Sequence, residues 1–459
     1  MSEKYMLKMM KIIIGDICPH PKLAWWLFLA MILLFSGYVL RGTVPYNFEL
    51  LFGFFLVVLV YLLKAESWDD LTQKSVLVWG GLILSYVISV FAISLFHAPL
   101  LEESRSVLRI TALFIGFLVV LAAILLTKPA EDFFWYFLLV SSFVLLVPIT
   151  MELTHYGWKV FEGEARLGRA YSNPIKFGVY ANALFILMLG GFVWAYRQGK
   201  KVLVLWCVMT LINFLAVVLS QSRTAWIGWP EAIIGWGGFY LYLISKAKFS
   251  FEKKLFLVGG IVSILALIGV TFVGEVMQKR VVQAWSDVEQ YLTEENVETS
   301  VGRRLVMYEV GIDLIKEQPF LGHGADDFES NLTSKTAQLL TEKYNVSSNG
   351  FHFSQIHNQF LMTWINFGLI PFILIVLIFI FLLGFFLRGL KKSRGESKAI
   401  WVAGLVFTSA TILLFMPESP LQYSTYSAHV GLFLTLLVAF SLLNQKSFTS
   451  LRTDKSVLE

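Results

Sequence analysis

The chain has 459 residues, of which 57% are hydrophobic and only 15% charged, with a mean hydropathy of +0.69 and a formal net charge of +5. This composition excludes an ordinary soluble domain, and so modest a charge gives no footing for nucleic-acid binding. The two cysteines, Cys18 and Cys207, are too few and too far apart for a disulfide framework and receive no role.

Apolar runs of about 18 to 25 residues recur along the chain, each long enough to cross a hydrocarbon core of roughly 30 Å as a helix. They lack the alternation of lipid-spanning β-strands. Lys4, Lys8, Lys11 and Lys22 precede the first run, Ala24 to Leu40, and no small-x-small cleavage site follows it, which predicts an uncleaved first helix. Helices are expected near 24–41, 46–64, 76–97, 107–127, 133–151, 175–196, 202–220, 224–245, 255–274, 357–388, 399–416 and 426–443. The fold class expected is therefore an all-α polytopic membrane protein of about 12 transmembrane helices. Its domains would be nine helices over 1–274, a helical outer domain over 275–356, three helices over 357–445 and a tail over 446–459.

The lysines and arginines orient this arrangement. With a cytoplasmic amino terminus, Lys64 to Lys74, Lys128, Arg197 to Lys201, Lys246 to Lys254, Arg388 to Lys398 and the tail all fall inside, as the positive-inside rule requires. Phe96 to Glu103 and Met416 to Thr425, on the other side, are poor in basic residues. The polar segment of about eighty residues from Glu275 to Gln355 then lies outside. Arg166, Arg169, Arg223, Arg303 and Arg304 stand against the bias. Scattered solvated contacts would explain them; a converging anion site would explain them better, because guanidinium stays charged and grips phosphate oxygens with paired hydrogen bonds.

Within the outer segment, Val281, Val282, Trp285, Val288 and Leu292 recur at helical spacing, predicting an amphipathic helix along the membrane or against the bundle. A second helix is expected from Ser300, its cap, to Pro319, with Leu305, Tyr308, Ile312 and Ile315 on one stripe. Arg303 and Arg304 fall in its first turn, where the helix dipole disfavours cations, so helix stability does not account for them. Leu321-Gly322-His323-Gly324 reads as a turn, with His323 equally a turn residue or a functional one. A third helix runs from Phe328 to about Tyr344. The chain returns to the membrane at His357-Asn358, where a lipid-linked substrate would present its headgroup.

The sequence has no metal-ligand spacing and no nucleotide loop, so neither a metal nor another cofactor is expected. A histidine able to take a proton from a sugar hydroxyl, beside arginines able to hold a diphosphate, suits transfer of a glycan from a lipid diphosphate.

Four stretches carry a family resemblance. They are Gly168-Arg169-Ala170-Tyr171-Ser172-Asn173-Pro174, Ser220 to Trp226, Ser300-Val301-Gly302-Arg303-Arg304-Leu305-Val306-Met307-Tyr308 through Gly311, and Gly322 to Gly324 with His357-Asn358. Together with the hydropathy layout, they resemble the bacterial O-antigen ligase family, within the superfamily of O-antigen ligases, polymerases and O-oligosaccharyltransferases. The resemblance implies a GT-C-type, metal-independent, inverting glycosyltransferase of the bacterial inner membrane with a periplasmic site. It would move O-antigen from undecaprenyl diphosphate to lipid A-core oligosaccharide, with membrane lipid around it. By the same resemblance, Arg223, Arg304 and His357 match the family's two arginines and its histidine; the expectation is that Arg223 and Arg304, with Arg303 and Arg169, hold the diphosphate, that His357 as the catalytic residue orients or deprotonates the acceptor hydroxyl, and that Asn358 and Tyr308 support them. Gln355 stands where some variants carry a second histidine, and His352 does not take that place.

An O-antigen polymerase on the same donor is the nearest alternative, followed by a protein O-glycosylating transferase. A lipid-linked glycan transporter is the alternative of another class, with Glu231, Arg109 and Lys176 as its intramembrane charges; no inverted repeat is visible to favour it.

Overall fold

The computed structural model describes residues 13, 20–39, 71–97, 104–169, 173–246, 278–279, 281–293, 296–325, 327–346, 353, 355–422 and 424–456. The helices expected near 46–64 and 255–274 lie outside these residues, as do Cys18, Asp326 and His352. Among the described residues every regular element is a helix, and seven helices are long and apolar enough to cross a membrane.

In chain order the helices are α1 (Pro21–Val39), α2 (Lys74–His97), α3 (Ser104–Thr127), α4 (Asp132–Tyr156), α5 (Pro174–Met188), α6 (Phe192–Arg197), α7 (Lys200–Leu219), α8 (Arg223–Trp226) and α9 (Trp229–Lys246). A helical segment over 281–292, α10, follows. After it come α11 (Gly302–Glu317), α12 (Asp327–Glu342), α13 (Gln359–Phe367), α14 (Leu369–Lys392), α15 (Lys398–Leu414) and α16 (Ser424–Ser456). The long apolar helices pack as a bundle in which α16 lies against α3 and α15, α5 against α7, and α14 against α2 and α15.

Aliphatic side chains such as Ile88, Ile234, Leu241 and Ile380 point outward from the bundle. Lipid is the solvent that suits such a surface. Between helices, where lipid removes the usual hydrophobic driving force, close packing must hold the bundle instead. Small residues permit it. A Cβ on Gly404 would sit 2.1 Å from the Phe386 ring, and one on Gly431 would sit 2.0 Å from Phe117.

Three expected helices are interrupted. The 175–196 run tightens into a 3-10 turn at Leu189–Gly191, where the indole of Trp206 fills the space that a side chain on Gly191 would need and donates to the Met188 carbonyl at 2.9 Å. The 224–245 run starts with the separate turn α8 before α9. The 357–388 run is two helices, broken at Gly368, whose φ is +76°. A Cβ there would lie 2.0 Å from the Phe320 carbonyl oxygen, so the chain can pass this point only as glycine. Ser300 is not the cap of α11 either. Val301 holds the N-cap position without a side-chain capping hydrogen bond, and the Thr299 hydroxyl, further out, accepts from the Gly302 N–H at 3.0 Å, an amide at the helix start that has no carbonyl of its own helix to bond.

The two ends of the bundle differ chemically. One gathers Lys128, Arg197, Lys391, Lys392 and Arg394, with an Arg197–Glu396 ion pair at 2.6 Å and Lys398 over the Tyr242 ring at 4.8 Å. At the other end lie α11 to α13 and the connection between α15 and α16, and the His97 imidazole reaches the Leu321 carbonyl at 3.2 Å. His323 is a turn residue. It is buried, its Nε2 2.9 Å from the Leu314 carbonyl and its N–H donating to Ile365 at 2.7 Å.

Candidate functional site

The site begins with one buried amide side chain. Gln359, in the first turn of α13, donates its backbone N–H to the Phe415 carbonyl at 2.8 Å, and its side-chain oxygen accepts from the Leu421 N–H at 2.8 Å. Both ends of the 415–421 connection are thereby fastened to α13. Buried backbone groups need such partners, and here the partners fix the loop's position. Asn358 caps α13, its side-chain oxygen accepting from Leu361 N–H at 3.1 Å. That cap holds His357 just outside the helix, in a left-handed backbone conformation with φ +54°, an uncommon one for a residue with a side chain.

A third strand of chain is tied in by Tyr308. Its hydroxyl lies 2.8 Å from the His357 carbonyl and 3.0 Å from the Met416 carbonyl, so it bridges α11, the His357 corner and the 415–421 loop. Burial pushes this phenol up to about 12, opposed by Arg304 and reinforced by Glu418, and the hydroxyl keeps the proton it donates.

Glu418 sits where these three segments meet. It is 5% exposed, with one carboxylate oxygen 3.2 Å from Arg304 Nη2 and the other 3.7 Å from His357 Nδ1. Arg304 and Tyr308, four residues apart, share one face of α11. The Gln355 side-chain nitrogen approaches His357 Nε2 at 3.4 Å. His357 Nδ1, 3.7 Å from Glu418, makes no hydrogen bond among the described residues. The arrangement is a histidine beside a buried carboxylate that an arginine shares.

Arg223 lies in a second ion pair, both of its terminal nitrogens 3.5 Å from one oxygen of Asp287, which is 5% exposed and belongs to α10. Arg303 is exposed in the first turn of α11, and Arg169 is exposed at the end of the loop after α4. Arg166 ties that loop down, donating from Nε to the Ser220 carbonyl at 3.0 Å. Of the expected site residues, the structure thus joins His357, Arg304, Tyr308 and Asn358 into one cluster. Glu231 keeps a buried carboxylate oxygen that has no hydrogen-bond partner among the described residues.

Sequence reasoning missed Glu418, Asp287, and the contact made by Gln355. Glu418 carried a signal: it is the one acidic residue between Glu396 and Asp454, isolated between two prolines in the Met416–Thr425 connection. Among the described residues no three of His, Cys, Asp and Glu cluster as a metal site would require.

Fold and site together define a polytopic, all-helical membrane protein with a histidine–carboxylate–arginine cluster at one end of its bundle. Residues 208–376 match the family described as O-antigen ligase, a stretch that includes Arg223, Arg303, Arg304, Tyr308, His357 and Asn358. The resemblance carried by the motifs is borne out to this extent: that stretch of the chain matches the O-antigen ligase family. It is 29% identical to an uncharacterized protein of Haemophilus influenzae over 231 residues, covering 47% of this chain and 53% of that one. It is 28% identical to a general O-oligosaccharyltransferase of Acinetobacter baylyi, covering 59% and 44%. It is 29% identical to an O-antigen ligase of Escherichia coli, covering 32% and 33%. The matches therefore span between a third and about half of these relatives' own lengths.

Proposed function

We propose that this protein is a glycosyltransferase of the inner membrane that transfers O-antigen from undecaprenyl diphosphate to lipid A-core oligosaccharide on the periplasmic face, without metal and with inversion. The observation that carries this reading is the buried carboxylate of Glu418 between Arg304 and His357. His357 Nε2 takes the proton of an acceptor hydroxyl, whose oxygen attacks the anomeric carbon of the donor. The bond from that carbon to the diphosphate oxygen breaks, and its electron pair leaves with undecaprenyl diphosphate. Glu418 balances the imidazolium, and the remaining N–H groups of Arg304, with Arg223, Arg303 and Arg169, meet the charge growing on the leaving diphosphate. Inversion follows from a single displacement.

The lipid parts of the substrates have a place in this reading. An apolar groove lined by Trp79, Phe114, Phe117, Phe379 and Leu421 among others reaches Phe415 in the loop that carries Glu418. The basic residues gathered at the opposite bundle end support a periplasmic site by the positive-inside rule.

The test is complementation of a strain lacking its own copy. His357→Ala or Arg304→Ala, expressed at normal level, should leave core lipopolysaccharide unmodified; normal ladders from both would overturn the assignment. Accumulation of carrier-linked polymer in the deletion strain identifies a ligase, whereas core bearing a single repeat unit identifies a polymerase. A second reading, O-linked oligosaccharide transfer to another acceptor, is favoured by the O-oligosaccharyltransferase alignment, which covers 59% of the chain against 32% for the O-antigen ligase. Modified glycoprotein with unmodified lipopolysaccharide would select it.

A further inference from the structure

We infer that α10 is a strap lying in the outer lipid–water interface, and that its Asp287 occupies Arg223 in place of the substrate diphosphate until a lipid-linked donor displaces it. This rests on the reading above that Arg223 binds diphosphate.

The first support is the helix itself, whose outward face is mainly apolar, with Gln283 and Glu289 its exposed polar residues. Asp287 is 5% exposed, while Trp285 is 76% and Leu292 73% exposed, with Val281 and Val282 also outward. Positions 285 and 287 are about 200° apart around a helix, so the carboxylate and the apolar stripe lie on opposite faces. Tyr291 on the inner side packs with Val297, Val306 and Leu340, which holds the helix to α11 and α12.

The second support is depth. Arg223 follows the end of the membrane-spanning α7, at Leu219, by four residues. A guanidinium there lies at headgroup level, and Asp287, 3.5 Å away, sets α10 at the same level. A stripe of valine, leucine and tryptophan at that depth meets acyl chains, the setting in which tryptophan belts and interfacial helices are stable.

The third is chemical. The pair is long at 3.5 Å, its arginine is 27% exposed, and a diphosphate offers more charge and more acceptor oxygens than one carboxylate. A donor arriving through the lipid therefore competes directly with Asp287 for the guanidinium and loosens the strap as it binds.

The test uses the full chain, with Cys18 and Cys207 replaced by serine, in nanodiscs of phosphatidylethanolamine and phosphatidylglycerol. A nitroxide at position 285 should be accessible to oxygen and shielded from a water-soluble nickel chelate, and one at position 279 the reverse. Farnesyl diphosphate should mobilise the label at 285, and Asp287→Asn should bind inorganic pyrophosphate about tenfold more tightly, with Asp287→Glu near wild type. A label at 285 open to nickel, or shielded from both reagents by another protein surface, overturns the strap. So does pyrophosphate binding to Asp287→Asn no tighter than to wild type, when Asp287→Glu shows that the fold is intact. Arg223→Ala separates the two readings. Unchanged pyrophosphate binding by it removes both, whereas lost binding beside an unaltered Asp287→Asn removes the strap alone.

Discussion

Glu418 holds two charged partners on two different elements, so its charge and its length are separable. Glu418→Gln keeps the shape and removes the charge facing Arg304 and His357; transfer should fall about 10²-fold or more, the range for disabling a general base. Glu418→Asp, which keeps the charge, should recover part of that loss in an assay with purified protein and lipid-linked donor. Equal activity of wild type and Glu418→Gln would remove Glu418 from the site. Tyr308 makes a different prediction. Its pKa is raised in the folded protein to about 12 from an ordinary value of about 10, so the stability it confers is fully present below pH 10 and is lost as pH rises through 12. Tyr308→Phe should melt at lower temperature near neutrality, for want of the hydrogen bond that its single hydroxyl proton shares between the His357 and Met416 carbonyls, worth about 1 kcal/mol. It should also lack this part of the alkaline decline, as detergent melting curves across pH would reveal.

At the scale of elements, the break at Gly368 sets the position of the histidine. With α13 and α14 continuous, α13 would follow the membrane axis of α14; the break instead lets α13 turn and present Gln359 to both ends of the 415–421 loop. Gly368→Ala should cost at least about 1–3 kcal/mol for the backbone conformation alone, more with the overlap against Phe320, and should lower transfer together with melting temperature. Gly384→Ala, in the same α14 with open space at its Cβ, is the control and should be neutral or stabilising by up to about 1 kcal/mol. Apolar periodicity foretold α11 closely, and the expected third helix of the outer segment matches α12. Periodicity could not foretell the break in the 357–388 run, because hydropathy is continuous across Gly368 and only the approach of the Phe320 carbonyl demands glycine there.

At the scale of the whole molecule, the outward face of the bundle decides the solvent. Ile88, midway along α2, is 64% exposed, and in a water-soluble protein its replacement by lysine would be mild. Here Ile88→Lys should cost about 2.5–3.5 kcal/mol of membrane insertion, read as a fall in the inserted fraction of α2 in a glycosylation-tagged insertion assay. Unimpaired insertion would place that face against something other than lipid.

The sequence by itself determined the membrane class and most of the described helices, and it singled out the histidine and arginines proposed here for the site. Those features are local, written in runs of hydropathy and in residues standing against a charge bias. The tertiary structure decided which of the polar residues meet. Glu418 lies 114 residues from Arg304 and Asp287 lies 64 from Arg223, and neither separation has a period that a sequence can display. Their pairing depends on where Gln359 fastens a loop and on which face of α10 turns inward, and both are settled only when the helices pack.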